Sequence, residues 1–297
     1  MIVVNLKAGL ANQMFQYAFG RGLEAKGLKI YFDQYNFKPR KEMTCESVRL
    51  QDVFPNIDLR VMPNGHFKYV SRDCGILKRF YFKMMRGVLS YANIEKYIYE
   101  DCYGYTPNME KRATENCIYY GHWQSEKYFK HCECDIRKQF SFTPFDEEKN
   151  IQLAKKLQSE NSVAIHFRKG KDYLPMCEKL NLCPVEYYNN AIAYIKEHVD
   201  NPVFYIFTDN KDWVEQNISG IDYTLVNWNP LSGGKNYRDM QLMTYAKHNI
   251  IANSTYSWWG AWLNMNPDKI VIAPKNFFGT EGFFSTSNIV CDGWISI

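Results

Sequence analysis

Val163-Ala-Ile-His-Phe-Arg-Lys-Gly-Lys-Asp-Tyr173 reads as a strand that runs into concentrated positive charge. Its first five residues carry no polar alternation, the pattern of a strand covered on both faces. Similar segments recur along the chain: Ile2-Val-Val-Asn-Leu6, Lys29-Ile-Tyr-Phe-Asp33, Cys117-Ile-Tyr-Tyr120, Val203-Phe-Tyr-Ile-Phe207, Tyr223-Thr-Leu-Val226, Asn249-Ile-Ile-Ala252 and Lys269-Ile-Val-Ile272. Helical-looking segments lie between them, the first expected from about Asn12 to Lys26. Buried strands alternating with helices predict an α/β chain built on parallel sheets. Two successive doubly wound units would leave a cleft beyond the carboxyl ends of their strands, where loops and helix N-termini converge.

Length agrees with two units, since 297 residues exceed one ordinary core. The turn and charged helix start in Phe140-Ser-Phe-Thr-Pro-Phe-Asp-Glu-Glu-Lys149 mark the boundary. Domains are therefore expected over 1–147 and 148–297. Hydrophobic residues make up 46% and charged residues 23%, which is globular and excludes a disordered chain. A net charge of +4 is too mild for nucleic acid as the main ligand. Nine cysteines, an odd number, are scattered, and Met1 runs straight into the first expected strand with no signal peptide. Free thiols in a reducing cytoplasm are the expectation. His131-Cys132-Glu133-Cys134 lacks a partner pair at zinc-ligand spacing, so no metal site is expected. No segment approaches the ~20 apolar residues that span a bilayer. Lys78-Arg-Phe-Tyr-Phe-Lys-Met-Met-Arg86 suits either peripheral contact with an anionic membrane or a basic helix flank over a core stripe.

Three dense motifs fall at expected strand ends. Gly9-Leu-Ala-Asn-Gln-Met-Phe-Gln-Tyr-Ala18 places Asn12 at a cleft rim, or else as a helix N-cap over a buried face. In the second motif, His166, Arg168, Lys169 and Lys171 crowd cations that repel one another unless compensated. An arginine fork matches phosphate oxygens, and the alternative is a solvated turn balanced by Asp172 and Glu178. The third, Asn253-Ser-Thr-Tyr-Ser-Trp-Trp-Gly-Ala-Trp-Leu263, sets small polar residues ahead of a helix start, where Asn253, Ser254, Thr255 and Ser257 can bind phosphate. Trp258, Trp259 and Trp262 read as core.

In this order and spacing, the motifs resemble the bacterial α-1,2-fucosyltransferases of glycosyltransferase family eleven, including Phe207-Thr-Asp209 and Ile272-Ala-Pro-Lys-Asn-Phe277. The resemblance implies a GT-B-type fold with two Rossmann-like domains facing across a cleft. The first is then the acceptor side and the second the GDP-sugar side, with the last ~20 residues returning to the first. It implies inverting transfer of L-fucose from GDP-β-L-fucose to the 2-hydroxyl of a galactose-terminated acceptor, lipid-linked in surface-glycan or O-antigen synthesis. The protein would then be cytoplasmic or peripheral on the inner membrane. It also implies that His166, Arg168 and Lys169 hold the donor pyrophosphate and that Asn253, Ser254, Thr255 and Ser257 complete the pocket. Asn12 would lie beside the transferred sugar, and Asp239, in Tyr237-Arg-Asp-Met240, would hold guanine.

This chain departs from the family pattern in two places. Ala11 stands where the family has glycine, and Arg168-Lys-Gly-Lys-Asp172 is one residue longer than Arg-Arg-Gly-Asp. The sequence holds no Asp-x-Asp triplet for a divalent metal, so no cofactor is expected and Arg168 takes the metal's electrostatic role. Asp172, Glu178, His122 and Asp33 are the candidates for a general base, and Asp172 is named first. Gly121-His-Trp-Gln124 is a candidate acceptor-site wall. The competing readings are another GDP-sugar transferase on the same fold and a non-catalytic nucleotide- or glycan-binding protein.

Overall fold

The computed structural model describes residues 1–34, 48–62, 96–101, 104–171, 173–180, 182–278 and 288–297. Two wholly parallel sheets organise them. The first contains β1 (Ile2–Asn5), β2 (Ile30–Asp33), β3 (Lys96–Tyr99) and β4 (Cys117–Tyr120), in the order β2-β1-β4-β3. The second contains β5 (Ser162–Phe167), β6 (Val203–Thr208), β7 (Tyr223–Val226), β8 (His248–Ile250), β9 (Val271–Ala273) and β10 (Ile295–Ser296), in the order β10-β9-β8-β5-β6-β7.

In the second sheet the chain leaves β5 for β6 and β7, then returns beside β5 with β8; in the first it leaves β1 for β2, crosses to β3 at the far edge and steps back to β4 beside β1. Such reversals open a crevice beyond the carboxyl ends of the two central strands, which here are β1 with β4 and β5 with β8.

Helices cover the sheets. They are α1 (Leu10–Ala25), α2 (Leu50–Val53), α3 (Glu133–Gln139), α4 (Glu148–Ser159), α5 (Leu174–Lys179), α6 (Val185–His198), α7 (Lys211–Asn217), α8 (Arg238–Met243) and α9 (Thr255–Leu263). On β5, Val163 and Ile165 face α6 residues such as Tyr188 and Ile192, whereas Ala164 faces Leu153 and Leu157 of α4 and Leu242 of α8. That two-residue alternation, apolar on both faces, is why the segment reads as an unbroken hydrophobic run.

One core cluster reaches across both sheets, from β1, β2 and β4 to α9 and β9. Phe15 of α1 packs against Trp258 and Trp259 of α9, with ring centroids 4.5 and 4.8 Å away. Trp258, Trp259 and Trp262 are buried, in agreement with the sequence reading. Trp259 Nε1 donates to the Ala11 carbonyl at 3.0 Å, tying the first turn of α1 to α9. The chain end touches both halves: Asn288 O accepts from Ser125 Oγ (2.6 Å), Ile289 O accepts from Trp258 Nε1 (2.7 Å), and β10 then extends the second sheet.

Some boundaries differ from expectation. β3 was not anticipated because Lys96-Tyr-Ile-Tyr99 is an edge strand with one buried residue. Helix α1 begins at Leu10 with Gly9 as N-cap, so Asn12 lies inside the first turn and is not the cap. The left-handed residue of that turn is Ala8 (φ 65°), and Ala11 sits within the helix, so a side chain there meets no backbone penalty.

Close approach of α1 to the loop before α3 yields a stability test. A Cβ at Gly22 would lie 2.1 Å from the Tyr128 carbonyl oxygen, which backbone cannot easily yield. Gly22→Ala is expected to cost about 1–3 kcal/mol in urea unfolding, as overpacking does. An unchanged midpoint would show that α1 lies further from this loop.

Candidate active site

The reversal point of the second sheet gathers side chains from three strand ends. Arg168 follows β5 and forms an ion pair with Asp209, which follows β6. Asp209 also accepts the Lys169 backbone N–H at 2.7 Å. The Arg168 guanidinium lies over the Tyr173 ring, 5.2 Å from its centroid. The Tyr173 hydroxyl meets Asn253, which follows β8: Asn253 Nδ2 donates to it at 3.0 Å. Asp209, Arg168, Tyr173 and Asn253 thus form a chain of contacts across the crevice mouth. A guanidinium with five donors can serve Asp209 and a phosphate at once.

Helix α9 opens on the same rim. Ser254 is its N-cap, with Oγ accepting from Tyr256 N at 3.3 Å, and Thr255 is its half-buried first residue. The first backbone N–H groups of such a helix favour an anion. Two buried polar atoms here have no partner, His166 Nδ1 and Asn253 Oδ1. Burial, reinforced by the Arg168 charge, pushes the His166 imidazole down to about 3, so it is neutral at physiological pH. The rim therefore offers one strong cation, a neutral imidazole and a helix N-terminus.

Two expected ligands are turned elsewhere. Lys169 is buried, and its Nζ donates to the carbonyls of Leu182 (3.1 Å) and Cys183 (3.0 Å) and lies 4.9 Å from the centre of the Trp213 ring. Successive side chains alternate along an extended segment, so Arg168 and Lys169 cannot share a face. Ser257 is fully buried, and its hydroxyl bonds back to Ser254 O at 3.3 Å. Lys171 is exposed, and Asp172 lies outside the described residues, as does the Lys78–Arg86 stretch. Glu178 is exposed. The carboxylate that compensates Arg168 is Asp209, brought from the next strand. Its sequence signal was an acid directly after Phe207-Thr208.

Asp239 sits one step away, in the first turn of α8. Asn229 Nδ2 donates to its carboxylate at 2.7 Å, and Asn229 is held in turn by Asn150 at 2.8 Å. Tyr256 links this corner to the rim: its hydroxyl accepts from Met240 N and donates to Asn236 O, both at 2.8 Å, while its ring lies 5.7 Å from His166. Burial pushes the Asp239 carboxyl up to about 6, with the Asn229 bond opposing.

The facing rim belongs to the first sheet. Gln124 Nε2 donates to Asn12 Oδ1 at 2.8 Å, and Gln16 bridges the strand ends, accepting from Lys7 N (2.8 Å) and donating to Gly121 O (3.1 Å). Trp123 is not a wall of the site: it is fully buried and stacked on Phe19 at 4.2 Å. Asp33 is buried, with Asn5 Nδ2 donating to it at 3.3 Å. The Trp259–Ala11 bond brings the N-termini of α1 and α9, and with them the two rims, to the same side. Among the described residues no three His, Cys, Asp or Glu side chains cluster as a metal would require, and no helix is long and apolar enough to cross a membrane.

Two parallel-sheet units with facing strand-end rims, one carrying a compensated arginine before a helix N-terminus, define the GT-B type of glycosyltransferase. The NodZ α-1,6-fucosyltransferase, in a crystal soaked with GDP-fucose, has this fold at 13% identity, with a TM-score of 0.51 over 88% of this chain and 92% of that one. A NodZ structure from Bradyrhizobium gives the same TM-score. The sequence model of glycosyl transferase family 11 matches residues 76–297. An α-1,2-colitosyltransferase of Escherichia coli is 30% identical over 295 residues, 95% of this chain and 93% of its own. The O-antigen biosynthesis glycosyltransferase WbnK of Escherichia coli is 36% identical over 154 residues, about half of each chain. The chain belongs to glycosyl transferase family 11.

The raised Asp239 carboxyl gives a test with a definite sign. A folded value above the unfolded one supplies stability that is present below about pH 3.8 and lost as pH rises through about 6. Asp239→Asn keeps an oxygen for Asn229 and removes the buried charge, so it should raise Tm at pH 8 and leave it nearly unchanged at pH 4. Equal effects at both pH values would rule out a desolvated carboxyl at this position.

Proposed function

We propose that this family 11 glycosyltransferase transfers L-fucose from GDP-β-L-fucose, with inversion, to the 2-hydroxyl of a β-galactoside in bacterial surface-glycan or O-antigen synthesis. The observation that carries this reading is the Arg168–Asp209 pair set beside the α9 N-terminus at the sheet reversal point. In this reading residues 148–297 hold the donor and residues 1–147 the acceptor.

Inverting transfer needs in-line attack on C1 while charge builds on the departing GDP. Preorganised donors aimed at that charge supply the largest share of such catalysis. Arg168 provides a fixed guanidinium, Thr255 and the opening N–H groups of α9 provide neutral donors, and His166 provides a further hydrogen bond without adding charge. Asp209 keeps the guanidinium in place before the donor arrives. Asp239, with its Asn229 support, is suited to the amino and imino donors of guanine. Asn12 stands on the opposite rim, where the transferred hexose meets the acceptor. No divalent ion takes part in this scheme. Membrane contact through the basic stretch 78–86 remains part of the proposal, as does a lipid-linked acceptor.

A second reading, α-1,2 transfer of another GDP-linked deoxy sugar, is favoured by the colitosyltransferase likeness that spans 95% of the chain. One experiment separates the readings. The purified protein is given lactose with GDP-fucose and GDP-colitose in competition, with and without EDTA, and the product linkage is determined. The expected product is fucosyl-α-1,2-galactose, formed equally with chelator present. Arg168→Ala should lower kcat about 10²- to 10³-fold without unfolding the chain. Preference for the other donor selects the second reading; silence under EDTA, or normal turnover of the variant, overturns the electrostatic scheme.

A further inference from the structure

We infer that Glu100 is a positioning residue for the transfer: its carboxylate, seated on the backbone N–H groups of His122 and Trp123, fixes the 121–124 turn so that Gln124 orients Asn12 at the reacting rim. The inference rests on the reading of Asn12 as a residue beside the transferred sugar.

The geometry is continuous. Glu100 directly follows β3 and is largely buried at its side chain (7% exposed). Its Oε2 accepts from His122 N at 2.7 Å and its Oε1 from Trp123 N at 2.8 Å. Trp123 takes a left-handed φ of 57°, a conformation an L residue adopts only when its surroundings impose it. Successive N–H groups around such a residue form an anion-binding concavity, and here the chain fills it with its own carboxylate. The seat is tight: a Cβ on Gly121 would come within 2.7 Å of Glu100 Cβ and 2.9 Å of its Oε2. The next residue, Gln124, donates to Asn12 Oδ1 at 2.8 Å, while its own Oε1 is buried with no partner. Gln124 thereby decides which way the Asn12 amide faces, leaving the Asn12 Nδ2 side to meet a sugar hydroxyl.

The clamp is sensitive to protonation. An ionised carboxylate accepts both N–H bonds, whereas a protonated one turns one oxygen into a donor. Burial pushes Glu100 up to about 7, against the N–H bonds and the Lys7 charge. Among the described residues, Lys7, whose Nζ lies 3.8 Å from the centre of the Tyr120 ring, and His122, whose Nδ1 is 4.0 Å from Oε2, are charged or titratable groups that face it. Burial and Lys7 push His122 down to about 4, so it stays neutral while Glu100 titrates. Both N–H bonds are therefore complete where Glu100 is ionised, above about 7, and the burial of that charge opposes them.

Two measurements on the full chain test this. In the isotope-labelled wild type, the backbone amide protons of His122 and Trp123 should shift downfield with a midpoint near pH 7; in Glu100→Gln, where an amide replaces the carboxylate, that titration should vanish. In the transfer assay, Glu100→Gln should lower kcat roughly 10- to 100-fold at pH 8 with donor KM little changed. Gln124→Met, which cuts the relay beyond the clamp, should lower kcat similarly while keeping the amide titration. Persistence of the titration in Glu100→Gln overturns the clamp, and normal kcat in Gln124→Met overturns the relay to Asn12. Should the wild type transfer no sugar, the functional reading fails, and the amide titration still decides for or against the clamp.

Discussion

Packing of α1 against α9 is the constraint on which the architecture depends. Phe15 wedges between Trp258 and Trp259, and the Trp259 indole donates to the Ala11 carbonyl. Large aromatic burial provides a substantial driving force, and the indole N–H fixes the register of one helix on the other. Both helices start at the carboxyl end of a sheet, so tying the first turn of α1 to the middle of α9 sets the two rims side by side. An open cleft with no such tie would leave donor and acceptor groups free to drift apart.

Charge placement in the second rim follows from strand geometry. Alternation sends Arg168 to the mouth of the crevice and Lys169 into the interior, where carbonyl oxygens and an indole face take its ammonium. Arg168 is then neutralised by a carboxylate from the neighbouring strand end, so the rim does not carry a bare cation. A guanidinium oriented in advance needs little reorganisation to meet an anion. His166 stays neutral because burial and Arg168 act in the same direction.

The two rims solve similar problems differently. At the second, one oriented guanidinium and a helix N-terminus suit an external anion; at the first, the chain supplies its own anion, Glu100, to a concavity of backbone N–H groups. A buried carboxyl raised to about 7 is costly as ionised, as is Asp239 at about 6. Both lie beside residues assigned to the site, in line with the general clustering of perturbed groups where function demands them.

Much of this was legible in the residues. Unbroken apolar runs announced parallel strands, the three motifs marked the strand ends that matter, and the tryptophans of 258–262 declared themselves as core. The motif order alone pointed to the family. What the sequence left open were facts of direction and distance: that Lys169 and Ser257 turn inward, that Trp123 packs in the core while its neighbour Gln124 reaches Asn12, that Asp209 of the Phe207-Thr-Asp209 motif pairs with Arg168, and that Glu100, an acid without a motif of its own, holds the first rim. Local pattern reports which residues are near in sequence and which face is apolar. Partners 41 or 112 residues apart are chosen by how strands order themselves in a sheet, and only the folded chain carries that information.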